Sequence, residues 1–260
     1  MIDCHAHLEQ DDYNDDRQKV IDDCKKKLKA VVTCCADPKD WKRTKEILEK
    51  NHGFVFATAG VHPEFIDKIP VTEIKAFFEV IKKEAKEKNI VGIGEVGLDF
   101  YWIKDPVLRD KQKDLFIKLI SLAKELNLPL IVHSRDAFLE TVVLLEQQGM
   151  KGKKVLLHLF GDKSLVEKVA NNGWMISIGP GIMRSKTTRK IARDLPLKNL
   201  LLETDSPWFG FEEKRGTPIN VILAAQKIAE IKNISVEEVE KQTDRNAIEF
   251  YGLKLGGKKK

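Results

Sequence analysis

The 260-residue chain carries 45 lysines and arginines against 40 aspartates and glutamates, a formal net charge of +5. That length supports a full hydrophobic core and fits one α/β barrel domain, while four cysteines in so long a chain do not form a disulfide framework, and no apolar run approaches the ~18 residues of a membrane span. The mild basic excess permits a polyanionic substrate without requiring one, because nucleic-acid footprints are clustered. The clearest clusters, Lys25-Lys26-Lys27 and Lys258-Lys259-Lys260, read as solvated surface and a frayed terminus. With no signal-peptide layout and cysteines read as reduced and structural, a soluble cytoplasmic protein is expected.

Eight short apolar, β-branched runs follow one another: Ile2–His5, Ala30–Cys34, Phe54–Ala59, Ile90–Glu95, Leu130–His133, Val155–His158, Trp174–Ile178 and Leu200–Thr204. Charged segments of helical periodicity separate them, such as Val107–Leu126 with Leu115, Leu119, Leu122 and Leu126 on one face. The stretch Ser235–Tyr251 reads as a closing helix, with Ser235 as N-cap and Glu238 completing a capping box. There is no internal repeat, linker or low-complexity stretch. Eightfold strand–helix alternation points to a single (β/α)8 TIM barrel over residues 1–254, followed by a basic tail, 255–260, expected to be disordered. An open doubly wound sheet would gather its site near two or three strands at one switch point. Here candidate ligands follow the first, fourth, fifth, sixth and eighth runs, which a closed barrel brings together.

Those ligands are His5, His7, Glu95, His133, His158 and Asp205, imidazoles and carboxylates of the kind that bind divalent metals. His5 and His7 are two apart on a strand and emerge on one face, with Asp3 on that face as an orienting partner and Cys4 turned away. Cys34 and Cys35, adjacent on a strand, face opposite sides and are not placed to share a bond or a metal. Glu95 lies in Gly92-Ile93-Gly94-Glu95-Val96-Gly97-Leu98-Asp99, where glycines admit close backbone approach. An isolated buried carboxylate there is costly unless paired or bound to metal. Asp99 reads equally as a residue supporting the ligands or as a loop aspartate. Arg135, two beyond His133, is either a fork for a phosphate oxygen or half of a salt bridge with Asp136 or Glu140. Glu203, one layer beneath Asp205, is placed to accept a hydrogen bond from a ligand histidine.

Taken in order, Asp3–Leu8, Gly60-Val61-His62-Pro63, Gly94–Asp99, His133-Ser134-Arg135-Asp136-Ala137, His158 and Glu203-Thr204-Asp205-Ser206-Pro207 resemble the TatD family of metal-dependent hydrolases, within the amidohydrolase-like group of barrels. The resemblance runs to Thr243-Asp244-Arg245-Asn246-Ala247. It implies a metal-dependent deoxyribonuclease with two divalent ions, Mg2+ or Mn2+ by the phosphate chemistry, Zn2+ or Ni2+ by the imidazoles. By the family pattern His5, His7, Glu95 and Asp205 hold one ion, and Glu95 bridges to a second held by His133 and His158. His62 matches the position that faces substrate phosphate. Asp205 is the candidate acceptor for the proton of the attacking water, with Glu95 fixing the separation of the ions. Three departures bear on substrate contacts rather than on the ligands: Leu159-Phe160-Gly161-Asp162 after His158, Glu64 after Pro63, and Arg215-Gly216-Thr217-Pro218 without an asparagine before the proline.

The expected substrate is DNA, single-stranded or at a 3′ end, cut exonucleolytically by a monomer with no obligate protein partner. The mouth segments carry Phe100, Tyr101, Trp102, Trp208 and Phe209, read either as base-stacking rings or as caps on the barrel's apolar top. Related barrels with similar ligands support deamination or amide and ester hydrolysis, since fold does not choose substrate. A non-enzymatic nucleic-acid-binding barrel is disfavoured by the intact ligand set.

Overall fold

In a computed structural model, which describes residues 1–210 and 214–256, each of the eight apolar runs contributes a strand. They are β1 Ile2–Ala6, β2 Ala30–Cys35, β3 Val55–Ala59, β4 Gly92–Asp99, β5 Leu130–Arg135, β6 Val155–Leu157, β7 Met175–Ile178 and β8 Leu200–Leu202. Every neighbouring pair is parallel, and the order around the sheet is the order along the chain. The helices are α1 Arg17–Lys27, α2 Trp41–Lys50, α3 Val71–Lys86, α4 Pro106–Leu126, α5 Phe138–Gln147, α6 Val166–Asn171, α7 Lys186–Asp194, α8 Val221–Lys232 and α9 Val236–Tyr251. The first and last strands meet at the mouth. The N–H groups of Thr204 and Asp205 donate to His5 O at 3.4 and 2.9 Å, and His7 N–H donates to Ser206 O at 2.7 Å. An open sheet would leave these edges apart, so the expected (β/α)8 barrel is the fold.

Strands covered on both faces need apolar residues on both, which is why the runs are nearly continuous. Side chains such as Val31, Leu130, Val132, Leu200 and Leu202 pack outward beneath the helices. Ile2, Ala30, Val32, Ile131, Leu156 and Leu201 point inward, over Phe250, Tyr251 and Leu253 at the end of α9, which seal the barrel floor. The Tyr251 hydroxyl donates to Cys4 O at 3.0 Å. The functional residues continue these inward columns one layer higher: His133 above Ile131, His158 above Leu156, Glu203 above Leu201. Helix starts follow from local chemistry. Asp105 caps α4, accepting from the N–H groups of Val107 and Leu108 ahead of Pro106, and Ser235 with Glu238 forms the expected capping box on α9.

Two register shifts depart from simple alternation. Between Asp3 and Ala6 three steps along β1 match two along β2, as in a β-bulge. Cys4 therefore joins the inward cluster with Ile2, whereas Asp3 pairs with outward-packed Val31. This reverses the expected phase, in which Asp3 shared the histidine face and Cys4 turned away. The second shift lies between Ile93 and Val96, and β4 runs on to Asp99, so Glu95 sits inside its strand rather than at the end. Cys34 and Cys35 do face opposite ways: Cys35 packs in the outer core, and Cys34 lies near His7 and Glu95.

At the C-terminal end Leu255 packs on the inner cluster and Gly256 N–H donates to Gly53 O at 2.9 Å. Lys258-Lys259-Lys260, in the expected tail, lie outside the described residues. No helix among the described residues is long and apolar enough to cross a membrane.

Gly97 pairs with His133 across β4 and β5, at φ +142°, and a Cβ there would lie 2.0 Å from His133 O. Gly97→Ala is expected to lower the unfolding free energy by about 3 kcal/mol or more through strain and displacement of β5. Urea denaturation of the two proteins measures the difference.

Candidate metal centre at the barrel mouth

Glu95 is the hub. It is buried, and its two oxygens face different neighbours. Oε2 lies 3.4 Å from His5 Nε2 and 3.6 Å from His7 Nε2. Oε1 lies 2.9 Å from His133 Nδ1, 3.1 Å from His158 Nε2 and 3.4 Å from His62 Nε2. Asp205 Oδ1 completes the first group, 3.5 Å from His5 Nε2 and 3.3 Å from His7 Nε2. The His5 and His7 Nε2 atoms are 3.1 Å apart, and the His5 ring stacks on His158 with centroids 4.2 Å apart. All six sequence-derived candidate ligands thus converge, in overlapping groups whose ligand atoms lie within 4.8 Å of one another.

The far nitrogen of three histidines is held by a carboxylate. His7 Nδ1 is 3.1 Å from Glu9 Oε1, His158 Nδ1 is 3.2 Å from Glu203 Oε2, and His133 Nε2 is 2.9 Å from Asp99 Oδ2. A carboxylate accepts, so in each neutral ring that nitrogen carries the proton and the other presents its lone pair to the hub. This carboxylate–histidine arrangement fixes ligand tautomers and orientation. It settles the geometry of Asp99, which closes β4 on the same face as Glu95 and sandwiches His133 with it. Glu203 sits as expected and also accepts from Leu159 N–H at 2.9 Å. Asp3 touches no ring. Its carboxylate accepts from His5 N–H at 3.3 Å and from Thr204 N–H and Oγ1 at 3.0 and 2.6 Å, tying β1 to the segment after β8.

Glu9 was missed by the sequence reading. It is fully buried, and its second oxygen accepts from Thr33 Oγ1 at 2.7 Å. Its only signal is position, two residues beyond His7, and it is masked by the polar run Glu9-Gln10-Asp11-Asp12 that it opens.

His62 differs in tautomer. Its Nδ1 accepts from Glu64 N–H at 3.2 Å, so the neutral ring carries its proton on Nε2 and points an N–H, not a lone pair, at Glu95. Arg135 does not form the salt bridge with Asp136 or Glu140 that was one of its two expected roles. Among the described residues it forms no ion pair; its guanidinium lies 3.8 Å over the Tyr101 ring and 5.5 Å from that of Trp102. Glu140 pairs instead with Lys113 at 3.5 Å. Phe100 is buried with Arg109 4.4 Å over its ring, whereas Trp208 packs edge-on to His7 with centroids 4.7 Å apart. Asp205 adopts φ +56°, a sparsely populated conformation for a non-glycine residue that is common at functional sites.

The electrostatics are those of a cation site. Burial opposes ionisation of Glu95, yet His158, His62 and His133 hold its pKa well below the ordinary glutamate value. Burial likewise opposes Asp205, and His7, His158 and His5 hold it down. Burial also disfavours charged imidazoles, but Asp205, Glu9 and Glu95 raise His7 well above a free histidine, and Glu95 with Glu203 does the same for His158. His62 moves the other way, lowered by burial and by His133. Ionised carboxylates among convergent nitrogen lone pairs make a donor set that fits divalent metal. Glu9→Ala should weaken metal binding roughly 10- to 100-fold while leaving the far-ultraviolet dichroism intact, as read by competition with a chromogenic chelator.

Comparison with known proteins agrees with this frame. The family model for TatD-related DNases matches residues 2–252. The human deoxyribonuclease TATDN3 is 36% identical over 262 residues, covering 96% of this chain and 94% of that protein. The uncharacterized metal-dependent hydrolase YabD of Bacillus subtilis (strain 168) is 34% identical over 260 residues, covering 97% and 99%. The crystal structure of YjjV, a TatD homolog from Escherichia coli K12, superposes with a TM-score of 0.88 at 23% identity over 98% of each chain. Sequence match over nearly the whole length, on the fold just described, makes this chain a member of the TatD-related DNase family of hydrolases.

Proposed function

We propose that the chain is a metal-dependent phosphodiesterase that cuts DNA, using two divalent ions at the barrel mouth. The observation that carries this reading is the division of Glu95, one oxygen toward His5 and His7, the other toward His133 and His158. A carboxylate so placed suits a bridge between two ions. His5, His7 and Asp205 would hold the first, and His133 with His158 the second. Mg2+ or Mn2+ suits the carboxylates and a phosphate substrate; the imidazoles also suit Zn2+ or Ni2+. Bound ions of this kind make water a nucleophile near neutral pH and offset the charge of the attacked phosphate.

The residues around them divide the remaining work. Asp205, at the edge of the cluster with 8% of its surface exposed, can accept the proton of the attacking water. His62, with its N–H turned inward, donates to a phosphate oxygen rather than serving as a ligand. Arg135 adds a positive charge on the rim. Attack from a strand end, giving exonucleolytic release, fits a centre recessed among mouth loops. The four cysteines, free and buried, fit the reducing cytoplasm.

Metal-stripped protein given Mn2+, Mg2+ or Zn2+ should release nucleotides from single-stranded DNA, with no release before metal is restored. Asp205→Asn should cut the rate by about 10²- to 10⁴-fold without loss of fold. Absence of release from protein shown to hold two ions per chain would overturn the reading. Full activity in Glu95→Ala would instead favour a mononuclear site such as a deaminase uses.

A further inference from the structure

Four Tyr, Trp or Phe side chains are strongly exposed among the described residues: Tyr101 at 42%, Trp102 at 60%, Trp208 at 46% and Phe209 at 52%. They come as two adjacent pairs, one in the segment after β4 and one in the segment after β8. The other large exposed apolar side chains, Val71, Val107 and Leu139, are aliphatic and lie on helices. In a ring of eight strands ordered β1 to β8, β4 and β8 are four places apart in either direction. The two aromatic pairs therefore stand on opposite rims of the mouth, with the Glu95 cluster between them.

Each pair is tied to the centre. Trp102 N–H donates to Asp99 Oδ1 at 2.7 Å, and the other oxygen of Asp99 holds His133. On the far rim Trp208 packs against His7. The β4 rim is also cationic. Arg135 lies over Tyr101, and the Lys104 ammonium, 5.3 Å from the same ring, donates to Phe100 O at 2.9 Å. A flat guanidinium without a carboxylate partner among the described residues, resting on one ring beside an open indole, offers both a stacking plane and a charge for a phosphate. Rings that only capped an apolar top would be buried there, as Phe100 is.

We propose that Trp102 with Arg135 on one rim, and Phe209 with Trp208 on the other, are base-stacking subsites either side of the scissile phosphate, which take up the bases of the expected single strand. This rests on the phosphodiesterase reading and names the residues that hold its substrate. A duplex keeps its bases stacked on one another and cannot offer their faces to two separate platforms. Stacking on exposed rings is tolerant of sequence, so little preference among bases is expected.

The test compares binding, which does not require turnover. The metal-loaded full chain and its Trp102→Ala, Phe209→Ala and doubly substituted forms are titrated against a fluorescent single-stranded oligonucleotide with cleavage-resistant phosphorothioate linkages, and against an abasic strand of the same linkages, length and charge. Each single substitution should weaken binding to the base-bearing strand about tenfold to a hundredfold, and the double more, with the abasic strand bound as before. Trp102→Phe and Phe209→Tyr, which keep a ring, should restore most of the loss and show that the alanine forms are not merely misfolded. Equal affinity of wild type and double variant for the base-bearing strand would overturn the proposal, as would equal losses on both strands. Base-dependent binding by a chain that cleaves no unmodified strand would leave these subsites standing and remove the phosphodiesterase reading instead.

Discussion

A buried carboxylate is unfavourable unless cations or strong donors surround it, and much of the upper half of this barrel answers that need for Glu95. Five imidazoles approach it, from the segments ending β1, β3, β5 and β6. Three of these rings are backed by carboxylates from other parts of the wall, Glu9, Asp99 and Glu203. The negative charges form two tiers, one inside the ring of histidines and one behind it. Such an arrangement is poorly neutralised by protein alone, because every proton placed on an imidazole takes away a lone pair. A divalent cation supplies charge without that loss, which is the physical reason the donor set reads as a metal centre rather than as a salt-bridged core.

Tautomer is the finer level of control. His7, His133 and His158 have their outer nitrogens on carboxylate acceptors, so their inner nitrogens are free to donate electron pairs. His62 has its outer nitrogen on a backbone donor, which inverts its character. Two kinds of imidazole thus line one cavity, distinguished by what stands behind them. On the proposed function, the same logic separates metal holding from phosphate contact in residues of one type.

Much of this was legible in the residues. The eight strands declared themselves as apolar β-branched runs because each is covered on both faces, and the six candidate ligands stood out because polar residues ending such runs are expensive. What escaped depends on pairing across strands. The shifts at Asp3/Ala6 and Ile93/Val96 arise from how β1 meets β2 and β4 meets β5, and alternation within one strand carries no record of them. Asp3 and Cys4 were consequently assigned the wrong faces. Glu9 looked like a surface residue because its partner Thr33 lies 24 positions away. Arg135 had acidic neighbours in sequence, yet the fold set Tyr101 closer.

The seam between β1 and β8 joins residues from the two ends of the chain: Asp205 N–H to His5 O, His7 N–H to Ser206 O, and, beneath them, Tyr251 to Cys4 O. These contacts are non-local and close late, since long-range pairing must overcome loop-closure entropy first. During synthesis His5 and His7 emerge early, but Asp205 and the helix that plugs the floor arrive only near the end. The cluster is therefore incomplete on any chain that stops short of Asp205. On the proposed function, a chain that cuts nucleic acid would thus complete its centre only when most of its length has been made.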